Sequence, residues 1–392
     1  MKRLPKGMAD FINIRENDYI YVDKTEYIYN MVAPGEKYFL SRPRRFGKSL
    51  LISTLEQLFE GNKKLFEDLY IYDKWDWNET YPVIHLDFGS RGRDSPEILT
   101  ESLMYFLDKT AKKYGVEIDG INILSDKFET LIEEIAKKTN KKLVILVDEY
   151  DKAIIDNLSN LDVAEANRKI LSEFYEVMKS MEKYIHFIFI TGVSKFSKTS
   201  IFSKLNNLTD LTLDPEYSAL CGYTQVDLEY HFYEHIQILA NRLNYTYEKA
   251  MELIKLWYNG YSWDGETKVY NPYSTLILLS QKYFSNNWFT TGTPTFLIDL
   301  LKENNDLEPI IKPIKVGKKA FEEFEPLEIK QLPLLFQTGY LTITNIEFDE
   351  MGDAKYTLEL PNFEVEKSLL DYLLDVYANI DYINVKETVK TV

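Results

Sequence analysis

The sequence feature that most constrains the fold of this chain is a short turn between an apolar strand and an amphipathic helix. Residues 37–40 (Lys-Tyr-Phe-Leu) have the composition of a strand, and residues 50–59 have helical periodicity. The turn between them is basic and ends in Gly47-Lys48-Ser49. Such a turn places backbone N–H groups and a helix N-terminus around an anion. The segment therefore predicts a phosphate-binding loop of the Walker A type.

The loop differs from the usual G-x-x-x-x-G-K-[ST] pattern at one position, because Arg42 stands where the first glycine is expected. Lys48 is predicted to place its positive charge beside the β- and γ-phosphates, and the Ser49 hydroxyl to bind Mg²⁺. The loop's basic cluster is interpreted as phosphate-binding, and it comprises Arg42, Arg44, Arg45 and Lys48.

Two acids follow a continuous aliphatic run further along the chain. Residues 143–147 (Leu-Val-Ile-Leu-Val) predict a parallel strand buried on both faces, with Asp148 and Glu149 at its carboxyl end. Asp148 is expected to hold Mg²⁺, directly or through water, and Glu149 to polarise the attacking water. Alone, the acid pair equally fits a cap on the next turn. Its position after Gly47-Lys48-Ser49 favours a P-loop NTPase with a Walker B strand.

The composition indicates a folded protein in a reducing environment. The chain has 392 residues, 45% of them hydrophobic, which is enough for two or three domains. A single cysteine, Cys221, excludes a disulfide framework. The sequence shows neither a signal core nor an apolar run of membrane-spanning length, so we expect a cytoplasmic location and no membrane partner. The net charge of −16 does not indicate nucleic acid as a partner.

Strands and helices alternate up to about residue 215. Predicted strands lie at 38–40, 81–88, 143–147, 186–190 and 208–213, and predicted helices between them at 95–114, 128–136 and 164–181. This alternation implies right-handed crossovers, so the predicted fold class is α/β, with a parallel sheet flanked by helices in a P-loop NTPase core. Thr191 or Ser194, after the fourth strand, would face the γ-phosphate as a polar sensor. A plain exit from the strand explains these residues equally well.

Several motifs resemble those of the bacterial and archaeal AAA-ATPase-like family. They are residues 42–49, 147–152, 191–197, 258–261, 270–274, 290–294 and 336–341. They span nearly the whole chain, and the family's own loop carries the arginine found here as Arg42. The resemblance implies an ATPase core with an additional strand, ATP rather than GTP as the nucleotide, and a helical region after the core. It also implies the roles already given to Lys48, Ser49, Asp148 and Glu149.

Many members of that family continue into a PD-(D/E)XK nuclease-like domain after the equivalent of residues 360–365. This chain ends at Val392, and we expect that domain to be missing from it. Two Glu-x-Lys triplets, at 266–268 and 328–330, match part of a nuclease site. A chain rich in glutamate and lysine contains such triplets by chance, so they predict no nuclease here.

The second half of the chain has a different pattern. Thr224 is a predicted N-cap, and helices are predicted at 226–243, 247–258 and 272–284, with a short hairpin at 261–270. A connector is expected from 297 to 336, followed by paired strands at 340–344 and 355–360 and a helix at 363–377. We therefore predict an ATPase domain (1–215), a helical or winged-helix-like module (216–296), and a connector with a small C-terminal α+β segment (297–392).

The predicted site combines both motifs. Catalytic roles are expected for Lys48, Asp148 and Glu149, and Ser49 and Asp148 are the expected Mg²⁺ ligands. ATP contacts are expected from Arg44, Arg45, Phe46, Gly47, Lys48, Ser49, Leu50 and Thr191. The leading hypothesis is Mg²⁺-dependent ATP hydrolysis coupled to a conformational change, with an unidentified protein partner or a second copy as an open possibility. The alternatives are a nucleotide-dependent switch or scaffold with little turnover, acting as partner of a nuclease, and a kinase, which the acid pair favours less.

Overall fold

The first part of the chain forms a parallel sheet. The computed structural model describes residues 1–32, 36–90, 92–195, 208–288, 312–320 and 331–378. The strands are β1 (Lys37–Ser41), β2 (Val83–Asp87), β3 (Leu143–Asp148), β4 (Ile185–Gly192) and β5 (Thr209–Asp210). Their order is β2-β3-β4-β1-β5, and the pairings are parallel. The predicted α/β class with a parallel sheet is confirmed.

Helices connect and flank these strands. They are α1 (Phe11–Glu16), α2 (Thr25–Val32), α3 (Lys48–Phe59), α4 (Pro96–Tyr114), α5 (Leu124–Thr139), α6 (Lys152–Ile155) and α7 (Leu161–Ser180). As predicted, Ser95 caps α4 by accepting the N–H of Ile98, and Pro96 stands in the first turn. Among the described residues, no helix has the length and apolar character needed to cross a membrane.

The strand order brings the two predicted motifs to one edge of the sheet. All six residues of β3 are buried, as the aliphatic run predicted. Strand β4 lies between β3 and β1, so the carboxyl ends of the three strands are neighbours. The loop after β1 and the acids after β3 therefore meet on either side of the end of β4.

Four helices are described between residues 224 and 282: α8 (Gln225–His231), α9 (Tyr233–Leu243), α10 (Tyr247–Tyr258) and α11 (Pro272–Gln281). The prediction of one helix over 226–243 is wrong, because the helix breaks at Phe232. Phe232 has φ −116° and ψ 10°, which are not helical values, and its fully buried ring has its centroid 5.2 Å from that of Tyr223. The predicted hairpin at 261–270 is reduced to one bridge between Tyr261 and Val269.

A smaller antiparallel sheet lies near the end of the described chain. Its strands β6 (Ile314–Gly317), β7 (Thr342–Phe348) and β8 (Ala354–Glu359) have the order β6-β8-β7, with helices α12 (Gln331–Gln337) and α13 (Phe363–Ala378) beside them in sequence. The hairpin of β7 and β8 and the last helix were predicted, whereas β6 was not. The predicted motif at 290–294, the triplet at 328–330 and part of the connector lie outside the described residues.

One large hydrophobic cluster joins the sheet to the second half of the chain. It contains the buried residues of β1 to β4 together with Tyr261, Trp263, Trp288 and residues from Leu334 to Leu369. A second cluster joins Ile20 and Val22 to helices α8 to α11. The phosphate-binding loop lies where both halves contribute side chains, and the predicted three-part division stays a prediction.

Candidate functional site

The loop between β1 and α3 has a backbone suited to anion binding. Arg45 and Gly47 both have positive φ, 70° and 96°, and α3 begins directly at Lys48. Left-handed residues turn successive N–H groups into a concavity, and the helix N-terminus adds the positive end of its dipole. A Cβ added to Gly47 would meet no atom within 4 Å, so glycine is needed here for its backbone conformation rather than for space.

Lys48 is held by the loop to which it belongs. Its Nζ donates hydrogen bonds of 2.9 Å to the backbone carbonyls of Arg42 and Pro43, and the side chain is buried. Burial lowers the pKa of Lys48, and the nearby carboxylates of Asp148 and Glu149 oppose that effect. These contacts fix the ammonium group at the base of the loop.

Arg42 is a structural residue, so its interpretation as a phosphate ligand is wrong. Its guanidinium is fully buried and donates to the carbonyls of Thr212, at 2.9 Å, and Tyr217, at 3.3 Å. It also lies 3.9 Å from the ring centroid of Trp263. Burial lowers the pKa of Arg42 to about 10. The arginine in place of the first glycine therefore joins the end of β1 to the second half of the chain.

The other two arginines of the loop have partners at the surface. Arg44 lies 3.6 Å from Asp156, whose second carboxylate oxygen is 2.7 Å from Arg93. Arg45 lies over the ring of Tyr273, 4.9 Å from its centroid, and is exposed. Both arginines line the cavity next to the loop and remain candidates for phosphate contact.

Phe46 anchors the loop through its side chain. The ring is buried and meets Tyr261 and Trp263 edge-on, with centroid distances of 4.8 and 5.6 Å. Any nucleotide contact from Phe46 would therefore come from its backbone. Leu50, in the first turn of α3, is partly buried and faces the cavity beside the loop.

A cavity of about 330 Å³ lies against the loop, within the range of small-molecule sites. Residues 44–50 of the loop, Glu149 and Lys152 form its polar side. Its other walls were missed by the sequence analysis: residues 5 and 7–9, residues 20–22, residues 220–223, and Pro272, Tyr273 and Leu276. No local signal identifies these walls, because they come from segments far apart in the sequence.

Asp148 meets Ser49 at the end of β3. The Asp148 carboxylate is buried, and its burial raises the pKa of Asp148, while the neighbouring Ser49 side chain lowers it. Its Oδ1 is buried and has no hydrogen-bond partner among the described residues. An unpartnered carboxylate oxygen beside a hydroxyl fits the oxygen ligands that Mg²⁺ prefers.

The described residues contain no group of three or more His, Cys, Asp or Glu side chains able to hold a metal ion. Mg²⁺ held by Ser49 and Asp148 would therefore take its remaining ligands from phosphate and water, as is usual for this ion.

Glu149, the residue after Asp148, has an unusual backbone conformation. Its φ is 53°, a left-handed value that is uncommon for glutamate. The side chain is 28% exposed and lines the cavity, and its Oε2 is 3.0 Å from the Nζ of Lys152. The structure thus brings Gly47, Lys48, Ser49 and Glu149 to one cavity, with Asp148 directly behind Ser49.

Thr191 is placed differently from these residues. It is fully buried, its hydroxyl donates to the carbonyl of Leu40 at 2.8 Å, and it does not line the cavity. The Ser194 hydroxyl is buried and has no partner among the described residues.

Asp151 is a contributor that the sequence analysis missed. Its carboxylate accepts the backbone N–H groups of Val193, at 3.1 Å, and Ser194, at 2.6 Å. Burial raises the pKa of Asp151 to about 6. Asp151 therefore connects the segment after β3 to the end of β4. In the sequence, its position three residues after Asp148 is the feature that could have identified it.

Comparison with known proteins agrees with this geometry. A family profile described as predicted AAA-ATPase, AAA-ATPase-like, matches residues 5–202. An uncharacterized protein in the vnfD 5' region of Azotobacter chroococcum mcd 1 is 40% identical over 375 residues, which cover 95% of this chain and 70% of that protein.

Among solved structures, the Aeropyrum pernix ORC1 protein in complex with DNA is similar over 91% of this chain and 92% of that one. The identity is 11% and the TM-score 0.31, so this likeness carries no argument about function. The family match covers half of the chain, and the relative is similar over nearly all of it. The chain belongs to the AAA-ATPase-like family of predicted, nucleotide-binding ATPases.

Proposed function

We propose that this protein binds ATP with Mg²⁺, hydrolyses it, and couples nucleotide occupancy to a conformational change. One observation carries the proposal. The positive-φ loop ending at Gly47, the Ser49 side chain and the Glu149 carboxylate line one cavity, and the buried Asp148 carboxylate neighbours Ser49. These are the parts that phosphoryl transfer to water requires.

Each residue has a defined task in this proposal. The loop N–H groups and Lys48 bind the β- and γ-phosphates, with Arg44 and Arg45 as further cations at the rim. Ser49 and Asp148 hold Mg²⁺, which when bound neutralises charge developing on the phosphate oxygens. Glu149 accepts a proton from water as the water oxygen attacks the γ-phosphorus and the bond to the ADP oxygen breaks. Thr191 would act indirectly, by holding the ends of β4 and β1 together.

Contacts between the loop and the second half support the conformational part of the proposal. The Trp288 indole Nε1 donates to the carbonyl of Arg44 at 3.2 Å, and the Trp288 backbone N–H donates to Glu364 at 3.0 Å. Glu364 stands in the first turn of α13. A shift of the Arg44 peptide on nucleotide binding would therefore be felt at the start of α13.

A nucleotide-dependent switch with little turnover, acting as partner of a nuclease, is the second candidate. The observation that favours it is the ion pair of Glu149 with Lys152, which occupies the carboxylate expected to activate water. A protein partner or a second copy would then read the nucleotide state. We also propose a cytoplasmic location and no membrane partner, and the net charge of −16 does not indicate nucleic acid as a partner. Particle mass with and without ATP would test self-association.

The deciding experiment measures Mg²⁺-dependent ATP turnover and ATP affinity for the wild type, Lys48→Ala and Glu149→Gln. Exposed Glu173 on α7 supplies the matched control Glu173→Gln. We expect Lys48→Ala to lose binding, and Glu149→Gln to lose roughly 10²-fold or more in turnover while still binding ATP. Wild-type turnover that Glu149→Gln leaves intact would contradict the catalytic assignment. Tight, Lys48-dependent binding without wild-type turnover would favour the switch.

A further inference from the structure

Lys152 lines the cavity beside the loop, as Lys24 and Lys48 also do, and neither the phosphate-binding loop nor the acid pair explains it. It is the first residue of α6, the short helix that follows β3, and it lines the same cavity as Lys48 and Glu149. Its side chain is 19% exposed, and its Nζ lies 3.0 Å from Glu149 Oε2. Its backbone N–H donates to the Glu149 carbonyl at 3.0 Å, so the two residues close one turn.

The partner of Lys152 distinguishes it from the other cations beside the loop. Lys48 is fixed on two backbone carbonyls, and Lys24 pairs with Asp227 at 2.7 Å. Arg44 faces Asp156, and Arg45 lies on an aromatic ring. Lys152 instead pairs with the carboxylate that, in the proposed function, must accept a proton from water. The ion pair at 3.0 Å engages one oxygen of that carboxylate, and the oxygen must leave Lys152 before it can accept the proton.

We infer that Lys152 exchanges partners when ATP binds, moving from the Glu149 carboxylate to the γ-phosphate. A γ-phosphate carries more negative charge than a carboxylate and offers more acceptor oxygens, so it is the stronger partner for an ammonium group. The flexible four-carbon stem of lysine allows the movement within one cavity. This inference rests on the proposed function, because it takes Glu149 as the water-activating residue.

The exchange has two consequences. Lys152 becomes a determinant of ATP over ADP, because ADP has no γ-phosphate to draw it from Glu149. Glu149 is released to activate water only when a γ-phosphate is present. Lys152 is thus a positioning residue for Glu149 and a specificity-determining residue for the nucleotide.

A binding cycle tests the exchange without hydrolysis. Affinities for ADP and for a non-hydrolysable ATP analogue, both with Mg²⁺, are measured for the wild type, Glu149→Gln, Lys152→Gln and the double variant. Lys152→Arg tests rescue by a retained charge. Lys169→Gln is the matched control, since Lys169 on α7 is 68% exposed and pairs with Glu165 at 3.9 Å.

Glu149→Gln should bind the ATP analogue about 3-fold more tightly than the wild type, because Lys152 then contacts the phosphate without first breaking an ion pair with a carboxylate. Lys152→Gln should bind it about 10-fold more weakly. ADP affinity should stay within about 2-fold throughout, and the double variant should lose the gain of Glu149→Gln. Lys152→Arg should keep most of the preference for ATP. In turnover, Lys152→Gln should lower kcat, because the transferred phosphate loses the cation that the exchange brings to it.

Three results would overturn the inference. They are equal loss of ADP and ATP affinity in Lys152→Gln, a gain from Glu149→Gln that persists in the double variant, and a kcat that rises or stays unchanged in Lys152→Gln. Absence of wild-type turnover would overturn the proposed hydrolysis instead, and the binding cycle alone would then decide the exchange.

Discussion

The carboxylate of Glu149 lies directly over Gly89, the second residue after β2. A Cβ added to Gly89 would lie 2.6 Å from Glu149 Oε2 and 2.9 Å from Asp87 Oδ1. Asp87 Oδ1 also accepts the backbone N–H of Gly89 at 2.7 Å. Gly89 does not have a positive φ, so glycine is needed here for space rather than for backbone conformation. Because Gly89 has no side chain, the Glu149 carboxylate can occupy this position.

Gly89→Ala should therefore displace the Glu149 carboxylate and lower ATP turnover. A displacement of about 1 Å at a group that acts in catalysis costs on the order of 10²-fold in rate, and we expect a loss of up to that size. Nucleotide affinity and thermal stability should change little, because the added methyl meets the end of a flexible side chain. Gly317→Ala is the control, since a Cβ there would meet no atom within 4 Å. Wild-type kcat in Gly89→Ala would show that the position of Glu149 does not limit turnover.

Arg42 and Arg45, three residues apart in one loop, should respond oppositely to substitution by alanine. Arg42→Ala should lower the free energy of unfolding by about 2–4 kcal/mol, because the buried carbonyls of Thr212 and Tyr217 lose their donor. Arg45→Ala should leave stability nearly unchanged and weaken ATP binding, because Arg45 is exposed beside the cavity.

Urea unfolding and nucleotide titration separate the two effects, with Arg42→Lys as a milder variant should Arg42→Ala fail to fold. Weak ATP binding by a fully stable Arg42→Lys would return Arg42 to the phosphate site.

This contrast shows where sequence reasoning about the site succeeds and fails. The order of strand, loop and acid pair was readable because each motif is local, and β3 is buried along its whole length as its aliphatic run predicts. The role of Arg42 could not be predicted from the sequence, because its partners in the structure lie far along the chain. They are Thr212, Tyr217 and Trp263. A cluster of cations in a phosphate loop looks the same whether its members face the ligand or the core.

The fold shows the same division. The five strands of the sheet and helices α3, α4, α5 and α7 were predicted within a few residues, because amphipathic period and caps are local signals. The short helices α1, α2 and α6 were not predicted. The break at Phe232 was missed, because the apolar period continues through it, and the contact of the buried Phe232 with Tyr223 is visible only in the structure. Strand β6 was missed because Ile314–Gly317 gains its partners from Lys355–Leu358, across the chain segment that intervenes.

Glu364 should make stability depend on pH. Burial raises the pKa of Glu364 to about 7, against its ordinary value of 4.5. Between these values the folded protein keeps a proton that the unfolded chain has lost, so stability falls as pH rises from about 4.5 to about 7. Full expression of this shift would amount to about 3 kcal/mol.

Urea unfolding at pH 5 and pH 8 should show this loss in the wild type and not in Glu364→Gln. The variant keeps an oxygen to accept the N–H groups of Asn287 and Trp288 but has no carboxyl proton to lose. A parallel pH dependence in both proteins would assign the effect to other groups.

Cys221 should report nucleotide binding. It is the single cysteine of the chain and lines the cavity, and burial raises the pKa of its thiol. Alkylation should therefore be slow in the free protein, since the thiolate is the reactive form. ATP with Mg²⁺ should slow it further in the wild type but not in Lys48→Ala. Equal alkylation rates with and without nucleotide in the wild type would place ATP away from this wall.

The predicted phosphate-binding loop packs against the second half of the chain, and this packing limits where the protein can be divided into fragments. The family profile ends at residue 202, yet the buried arginine of the loop lies against Trp263 and the neighbouring phenylalanine against Tyr261. A gene fragment cut at that border would encode every motif residue of the nucleotide site and none of the aromatic support beneath it. Exchange of the second half between relatives would likewise reshape the loop. The proposed nucleotide site therefore depends on residues from both halves of the chain.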